Sequence, residues 1–203
     1  FLFITLYVVN ELSYDRFHKN YENVYRVKVI GRMAGGEIDQ AITAAPMAQA
    51  MLKDYPEVLQ ATRVRGMGDW LIRFGDKKFN EDGVLFADST FFDVFGFILL
   101  KGDPSTALVR PRSMILTEEY AKKYFGDNDP MGQRMNVESD TVLYTVTGVI
   151  QNVPDNSHIK FDMLASMSTY PGQANDQFWI SHSFYTYIVI RDGTDKNILQ
   201  EKF

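Results

Sequence analysis

The stretch from Val24 to Arg65 constrains the fold most. Val24–Ile30 alternates, with Tyr25, Val27 and Val29 on one face and Arg26 and Lys28 on the other, the pattern of a half-exposed strand. Gly31 to Gly36 interrupts it. A helix is expected next, with Pro46 in its first turn, Met47, Met51, Leu52 and Tyr55 along one side, and Pro56 just past its end. Leu59–Arg65 reads as a second strand. Strand–helix–strand is the smallest unit that can bury one helix face on a sheet, so layered α+β structure is expected.

The middle third has a different texture. Trp70–Phe74, Gly75-Asp76 and Lys77–Phe79 predict a hairpin with a tight Gly-containing turn, and Val84–Phe86 another short strand. Asp88 or Ser89 is placed to cap a short helix carrying Phe91, Phe92 and Phe95, and Gly102-Asp-Pro104 is a loop. After a strand at Ser113–Leu116 comes the best-specified helix. Thr117 is its expected N-cap, and Glu118 and Glu119 lie in the first turn, where the macrodipole favours acids. Glu118 with Lys122 and Glu119 with Lys123 are i,i+4 pairs, Tyr120, Ala121, Tyr124 and Phe125 form the buried stripe, and Gly126 ends it. Strands resume at Gln133–Val137 and Leu143–Val149. The final third, after Pro154-Asp-Asn-Ser157, carries strands at Phe161–Met167 and Phe184–Ile190 around a polar stretch, then the start of a helix after Asp195.

Phe1 to Val9 is apolar or aromatic except for Thr5, and a spanning helix needs roughly 20 such residues. Two readings fit. The run is either the last third of a transmembrane helix, with Asn10–Asp15 at the water interface, or a buried N-terminal element. Leu12, Tyr14, Phe17 and Tyr21 then suggest a further helix.

The chain has 203 residues, 45% apolar, and is long enough to bury roughly 70% of its unfolded surface, which excludes disorder. Twenty-one Lys and Arg against 26 Asp and Glu offer no basic face for nucleic acid. Zero cysteines exclude thiol nucleophiles, zinc-thiolate sites and iron–sulfur clusters. His18, His158 and His182 have no metal-ligand spacing and are read as structural or surface residues. Asp127-Asn-Asp129 lacks the glycine and glutamate of a calcium loop, no glycine pattern matches a dinucleotide or phosphate loop, and Ser113, Ser157 and Ser183 have no sequence-local partner. No catalytic, cofactor-binding or metal-binding residue is therefore assigned, and no partner-binding residue either. Trp70, Phe91, Phe92 and Phe95 are read as the core of a small second lobe, with a partner-facing patch as the alternative.

Several segments, in order along nearly the whole chain, carry a resemblance. They are Asn10-Glu-Leu-Ser-Tyr-Asp-Arg-Phe-His18 with Val24-Tyr-Arg-Val27, Pro46 to Glu57, Phe86 to Phe95, Gly102-Asp-Pro104, Leu116 to Asp127, Asp129-Pro-Met-Gly132, Val146-Thr-Gly-Val149 and Asn156 to Asp162. Together they resemble the MacB-like periplasmic core domain of MacB/FtsX-type ABC transporter permeases, the ectodomain between the first and second transmembrane helices.

The resemblance implies two lobes, a porter-like lobe of sequence-distant βα units and an inserted Sabre lobe. It divides the chain into residues 1–21 (end of the first transmembrane helix and a juxtamembrane helix), 22–66 (porter-like lobe, first part), 67–156 (inserted Sabre-like lobe) and 157–203 (porter-like lobe, second part, truncated). It also implies a non-catalytic role without cofactors, in which cytoplasmic ATP hydrolysis drives periplasmic conformational change. The implied partners are a cytoplasmic ABC ATPase, a second permease copy in a homo- or heterodimer, and a periplasmic adaptor or outer-membrane protein. The implied place is the inner membrane, with this domain on the periplasmic side. A ligand-sensing ectodomain of a membrane-bound signalling protein is the competing reading, and a secreted hydrolase a third.

Overall fold

A computed structural model describes every residue except Ala34. Helix α1 (Leu2–Ser13) buries none of its side chains. The helix expected over Leu12–Tyr21 does not form. The α1 helix stops at Ser13, and residues 14–23 run as successive turns, with Asp15 in the left-handed region at φ 60°. Tyr14, Phe17 and Tyr21 are not one side of a helix. The turns fold back against the body of the domain and give up helical hydrogen bonds for contacts made there.

Strand β1 (Val24–Arg26) is shorter than expected. The chain then leaves the main sheet for a separate hairpin, β2 (Val29–Met33) with β3 (Gly36–Gln40). After β4 (Thr43–Ala44), helix α2 (Met47–Asp54) follows Pro46 as expected, and buries Ala48 and Met51 while Leu52 stays exposed. Strand β5 (Val58–Gly66), the hairpin β6 (Trp70–Phe74) and β7 (Lys77–Glu81), and β8 (Val84–Ala87) match the sequence reading. Helix α3 (Phe91–Val94) is present, but neither Asp88 nor Ser89 caps it. The Asp88 carboxylate is engaged by Arg63, and Thr90 holds the N-cap position without a cap bond because its hydroxyl donates to Ala61 O at 2.7 Å.

Strand β9 (Leu99–Lys101) precedes β10 (Ser113–Thr117), whose five residues are all buried. Helix α4 (Glu118–Phe125) has the expected caps. Thr117 Oγ1 accepts the Tyr120 N–H, and Gly126 closes the helix at φ 61°. Strands β11 (Arg134–Val137), β12 (Leu143–Ile150) and β13 (Met163–Ser166), the short helix α5 (Pro171–Ala174), the long strand β14 (His182–Ile190) and helix α6 (Lys196–Gln200), capped by Asp195, complete the chain.

Twelve strands form one mixed sheet along the path β1-β14-β5-β8-β13-β10-β12-β11-β6-β7, with β4 beside β14 and β9 beside β12. The pairs β8–β13 and β10–β12 are parallel and the others antiparallel. Alternate residues of the central strands enter different cores. Met114, Leu116, Met163 and Ala165 pack with α4 and Trp70, whereas Ile115 and Leu164 pack with Phe91, Phe95 and Phe161. Strand β14 does the same. Tyr187 and Val189 join the Phe91–Phe95 core, and Ile188 and Ile190 lie under α2 and Leu199. Burial on both faces makes these strands read as apolar runs instead of clean alternations. Trp70, Phe91 and Phe95 are buried, but not in one small core: Trp70 belongs to the cluster under α4, and Phe91 and Phe95, with Phe92 packed against them, to the one on the other face of the sheet.

Candidate functional site

The turns after α1 carry the densest set of polar contacts between sequence-distant parts of the chain. Asn156 Nδ2 donates to both Ser13 O and Ser13 Oγ at 3.0 Å, and the Asp15 N–H donates to Asn156 O at 2.9 Å. The Asp15 carboxylate accepts the His158 N–H at 3.0 Å through one oxygen and faces His158 Nδ1 at 2.7 Å through the other. His158 Nε2 lies 3.0 Å from the Tyr187 hydroxyl on β14. With Nδ1 protonated toward the carboxylate, Nε2 accepts from that hydroxyl, and the contacts form a chain from the end of α1 to the sheet. Burial, the largest cause, pushes the Tyr187 phenol up to about 12, so it stays a protonated donor.

The loop on the receiving side is itself held in place. Ser157 Oγ donates to Ile159 O, and Lys160 Nζ donates to the carbonyls of Pro154 and Asp155. On the opposite flank Gly96 lets the turn come close, since a Cβ there would sit 2.8 Å from Lys19 N. This is a glycine whose absent side chain makes room for another backbone.

His18 is the least ordinary residue of the joint. Its ring is 3% exposed, packed against Phe17 at 4.0 Å, Phe97 at 5.0 Å and Phe95 at 5.2 Å between centroids, and neither ring nitrogen has a hydrogen-bond partner. Burial lowers its pKa to about 4, against a partial opposing pull from Asp15, whose Oδ1 is 3.9 Å from Nε2. A cavity of about 360 Å³ opens beside the joint, lined by His18 itself with Asp15, Arg26, Phe95, His158 and Tyr187.

This arrangement can hold, orient and transmit. Its one hydroxyl–imidazole–carboxylate chain ends in a phenol made less acidic by its surroundings, the reverse of an activated nucleophile. Among the described residues no group of three His, Asp or Glu side chains could hold a metal ion. The structure brings together two of the three histidines that the sequence leaves apart, His18 and His158. The third, His182, opens β14, where it contacts the Gln40 side chain and the carbonyl of Trp179. Glu118 and Glu119 stay in the first turn of α4, Asp129 pairs with Lys101 at 2.9 Å, and Ser113 and Ser157 are buried, Ser157 beside His158 with its Oγ donating to Ile159 O.

A second polar cluster lies deeper. Arg63 on β5 is 6% exposed and grips both Asp88 oxygens at 2.8 and 2.9 Å, while its remaining nitrogen donates to the carbonyls of Ala45 at 2.8 Å and Ala174 at 2.6 Å. All its donors aimed at protein are matched, so it reads as a brace.

The mixed α+β body thus carries at one end a mostly apolar helix none of whose side chains is buried. Among the described residues no helix is long and apolar enough to cross a membrane. The family model for the MacB-like periplasmic core domain matches residues 1–203, and the chain belongs to that family. It is a periplasmic domain of a MacB/FtsX-like ABC transporter permease, a family that pairs with ATPase subunits. That membership sets aside the signalling-receptor reading.

Solved structures agree in fold. A domain assigned to a permease of Porphyromonas gingivalis superposes with a TM-score of 0.81 at 28% identity, over 92% of this chain and 81% of that one. The periplasmic region of MacB from Actinobacillus actinomycetemcomitans gives 0.63 at 16% identity, over 89% and 80%. The extracellular domain of the noncanonic ABC-type transporter YknZ from Gram-positive bacteria gives 0.53 at 14%, over 74% and 73%. No curated protein sequence matches the chain.

Proposed function

We propose that this domain is a non-catalytic transmitter. ATP hydrolysis by the cytoplasmic ATPase moves the first transmembrane helix, of which α1 is the periplasmic end, and the joint at Ser13–Tyr21 passes that motion into β14 and the sheet. The observation that carries this is the Asp15–His158–Tyr187 chain with the Ser13–Asn156 bonds, which ties the exposed helix to a central strand through short contacts. The domain stands on the periplasmic side of the inner membrane, in a permease dimer, and its distal surfaces meet an adaptor or outer-membrane partner.

The moving parts are two lobes, one from residues 22–66 and 157–203 and the other from 67–156. In support, one core draws its buried residues only from positions 48–61 and 188–199. The strand β13 and the helix α5 pack with the inserted lobe instead, which favours a return of the chain near residue 175.

The test uses the full-length permease with its ATPase in lipid nanodiscs. Spin labels on α1 and on β2–β3 report the distance change between nucleotide-free and ATP-bound states. Asp15→Ala is expected to leave ATP turnover in place while the periplasmic distance change shrinks to less than half. An unchanged distance response in that variant would sink the proposal.

A further inference from the structure

We infer that the turn Tyr14–Tyr21 is a releasable latch, and that protonation of the enclosed His18 imidazole lifts it off the Phe95–Phe97 surface and disconnects α1 from the 156–158 loop. The inference rests on the joint being the coupling element proposed above, and adds its regulation.

The geometry is that of a contact built to be broken. A phenylalanine at position 18 would fill the same aromatic cage with nothing left unpaired. The imidazole instead takes two polar nitrogens out of water and gives neither a partner. Both nitrogens are buried and without a protein partner, at the wall of the cavity that Asp15, His158 and Tyr187 also line. Release therefore removes the desolvation cost of these nitrogens, which offsets part of what the docked contacts gain.

A proton on His18 sharpens the conflict. The groups that face it are Asp15 from its own turn, His158 from the loop, and Arg26 and Tyr187 across the cavity; the α3 side presents only Phe95, Phe97 and the backbone at Gly96. Asp15 is the only anion, and both its oxygens are already bonded to His158. Arg26 and a protonated His158 would repel the new charge.

The direction follows from linkage. The docked imidazole binds its proton with a pKa of about 4 and the released one near the ordinary 6.5, so the released state gains as pH falls through 6.5 and the gain saturates near pH 4. The release equilibrium should rise about 20-fold between pH 7 and pH 5.

Amide hydrogen exchange on the 203-residue chain in a non-ionic detergent tests this. The amides of Asp15, His18 and Tyr21, which donate to Asn156 O, Asp15 O and His18 O, report the latch, and those of β14 are the internal reference. After correction for intrinsic rates, the three latch amides should lose about 20-fold in protection from pH 7 to pH 5 while β14 keeps its own. In His18→Phe they should be better protected at pH 7 and equally protected at pH 5. His18→Leu serves if the phenylalanine variant folds poorly. Equal protection of the wild-type amides at both pH values overturns the latch, as does an acid response that survives in His18→Phe, since Asp15–His158 would then be the titrating pair. No nucleotide or ATPase enters this readout, so failure of the latch is distinguishable from failure of the transmitter role, which Asp15→Ala tests at neutral pH.

Discussion

Replacing Arg63 by methionine should cost the domain about 3–5 kcal/mol, the range for breaking a buried ion pair by removing one partner. The guanidinium is 6% exposed and meets Asp88 through two nitrogens, while a third nitrogen serves the carbonyls of Ala45 and Ala174. Methionine retains most of the apolar stem and its packing near Phe184, so the loss isolates the polar contacts. What remains is a carboxylate supported only by the Arg63 backbone N–H at 2.9 Å, plus two carbonyls short of a donor. Lysine cannot substitute, because one ammonium cannot reach a forked carboxylate and two carbonyls on separate segments. Urea unfolding followed by the fluorescence of Trp70, which is buried, gives the free energy. In a heating scan the same loss should lower Tm by about 10 °C for a chain of this size. The double variant Arg63→Met with Asp88→Leu should be more stable than Arg63→Met alone, because it leaves no orphaned charge. A cost below about 1 kcal/mol for Arg63→Met, or strictly additive single and double variants, would refute the brace.

Two further outcomes are expected. Thr62 is fully buried on β5 and its hydroxyl has no partner, so Thr62→Val should raise stability by about 1 kcal/mol in a thermal melt followed by circular dichroism. Because α1 buries no side chain, deleting Phe1–Val9 should improve solubility and leave Tm within about 2 °C; a larger fall would mean that the segment belongs to the core.

The elements that were legible from sequence are those whose signals are local. Thr117, the paired glutamates and Gly126 specify α4 by themselves, and Gly75-Asp76 between Phe74 and Lys77 specifies the β6–β7 turn. The hairpin β2–β3 was hidden because it lies outside the large sheet and carries Arg32, Glu37 and Asp39, paired within it and with Lys28 just before it, where a buried strand would alternate. The turns at 14–23 misled for a related reason. Only Phe17 packs on the body of the domain, against Phe97, while Tyr14 and Tyr21 stay exposed, and spacing alone cannot separate that from a helix stripe. The joint was out of reach altogether, since Asp15 and His158 stand 143 positions apart and a search for local histidine spacing cannot see them. A usable signal did exist: the segments Asn10–His18 and Asn156–Asp162, both prominent in the resemblance, are the two halves of the joint.

If two lobes move against each other, a continuous sheet leaves few places for the motion to occur. Within the lobe of β1, β5 and β14, strand β14 pairs with β5 over a register from Tyr185 to Ile190 and with β1 over Val24 to Arg26, a stiff unit. Within the sheet the link from that unit to the inserted lobe is β5 with β8 over Val64↔Ala87, Arg65↔Phe86 and Gly66↔Leu85, backed by the packing of Tyr187 and Val189 on Phe91 and Phe95. Three residue pairs can twist where a longer ladder cannot. The Arg63–Asp88 pair sits at the end of this short ladder and also holds Ala45 and Ala174, one from each side of it. If the proposed push from α1 passes through Asp15 and His158 to Tyr187, the short β5–β8 ladder, the core around Phe91 and Phe95 and the Arg63 brace are the places that take it up. On this argument Arg63→Met acts twice, lowering stability and loosening the same link that the proposed transmission bends.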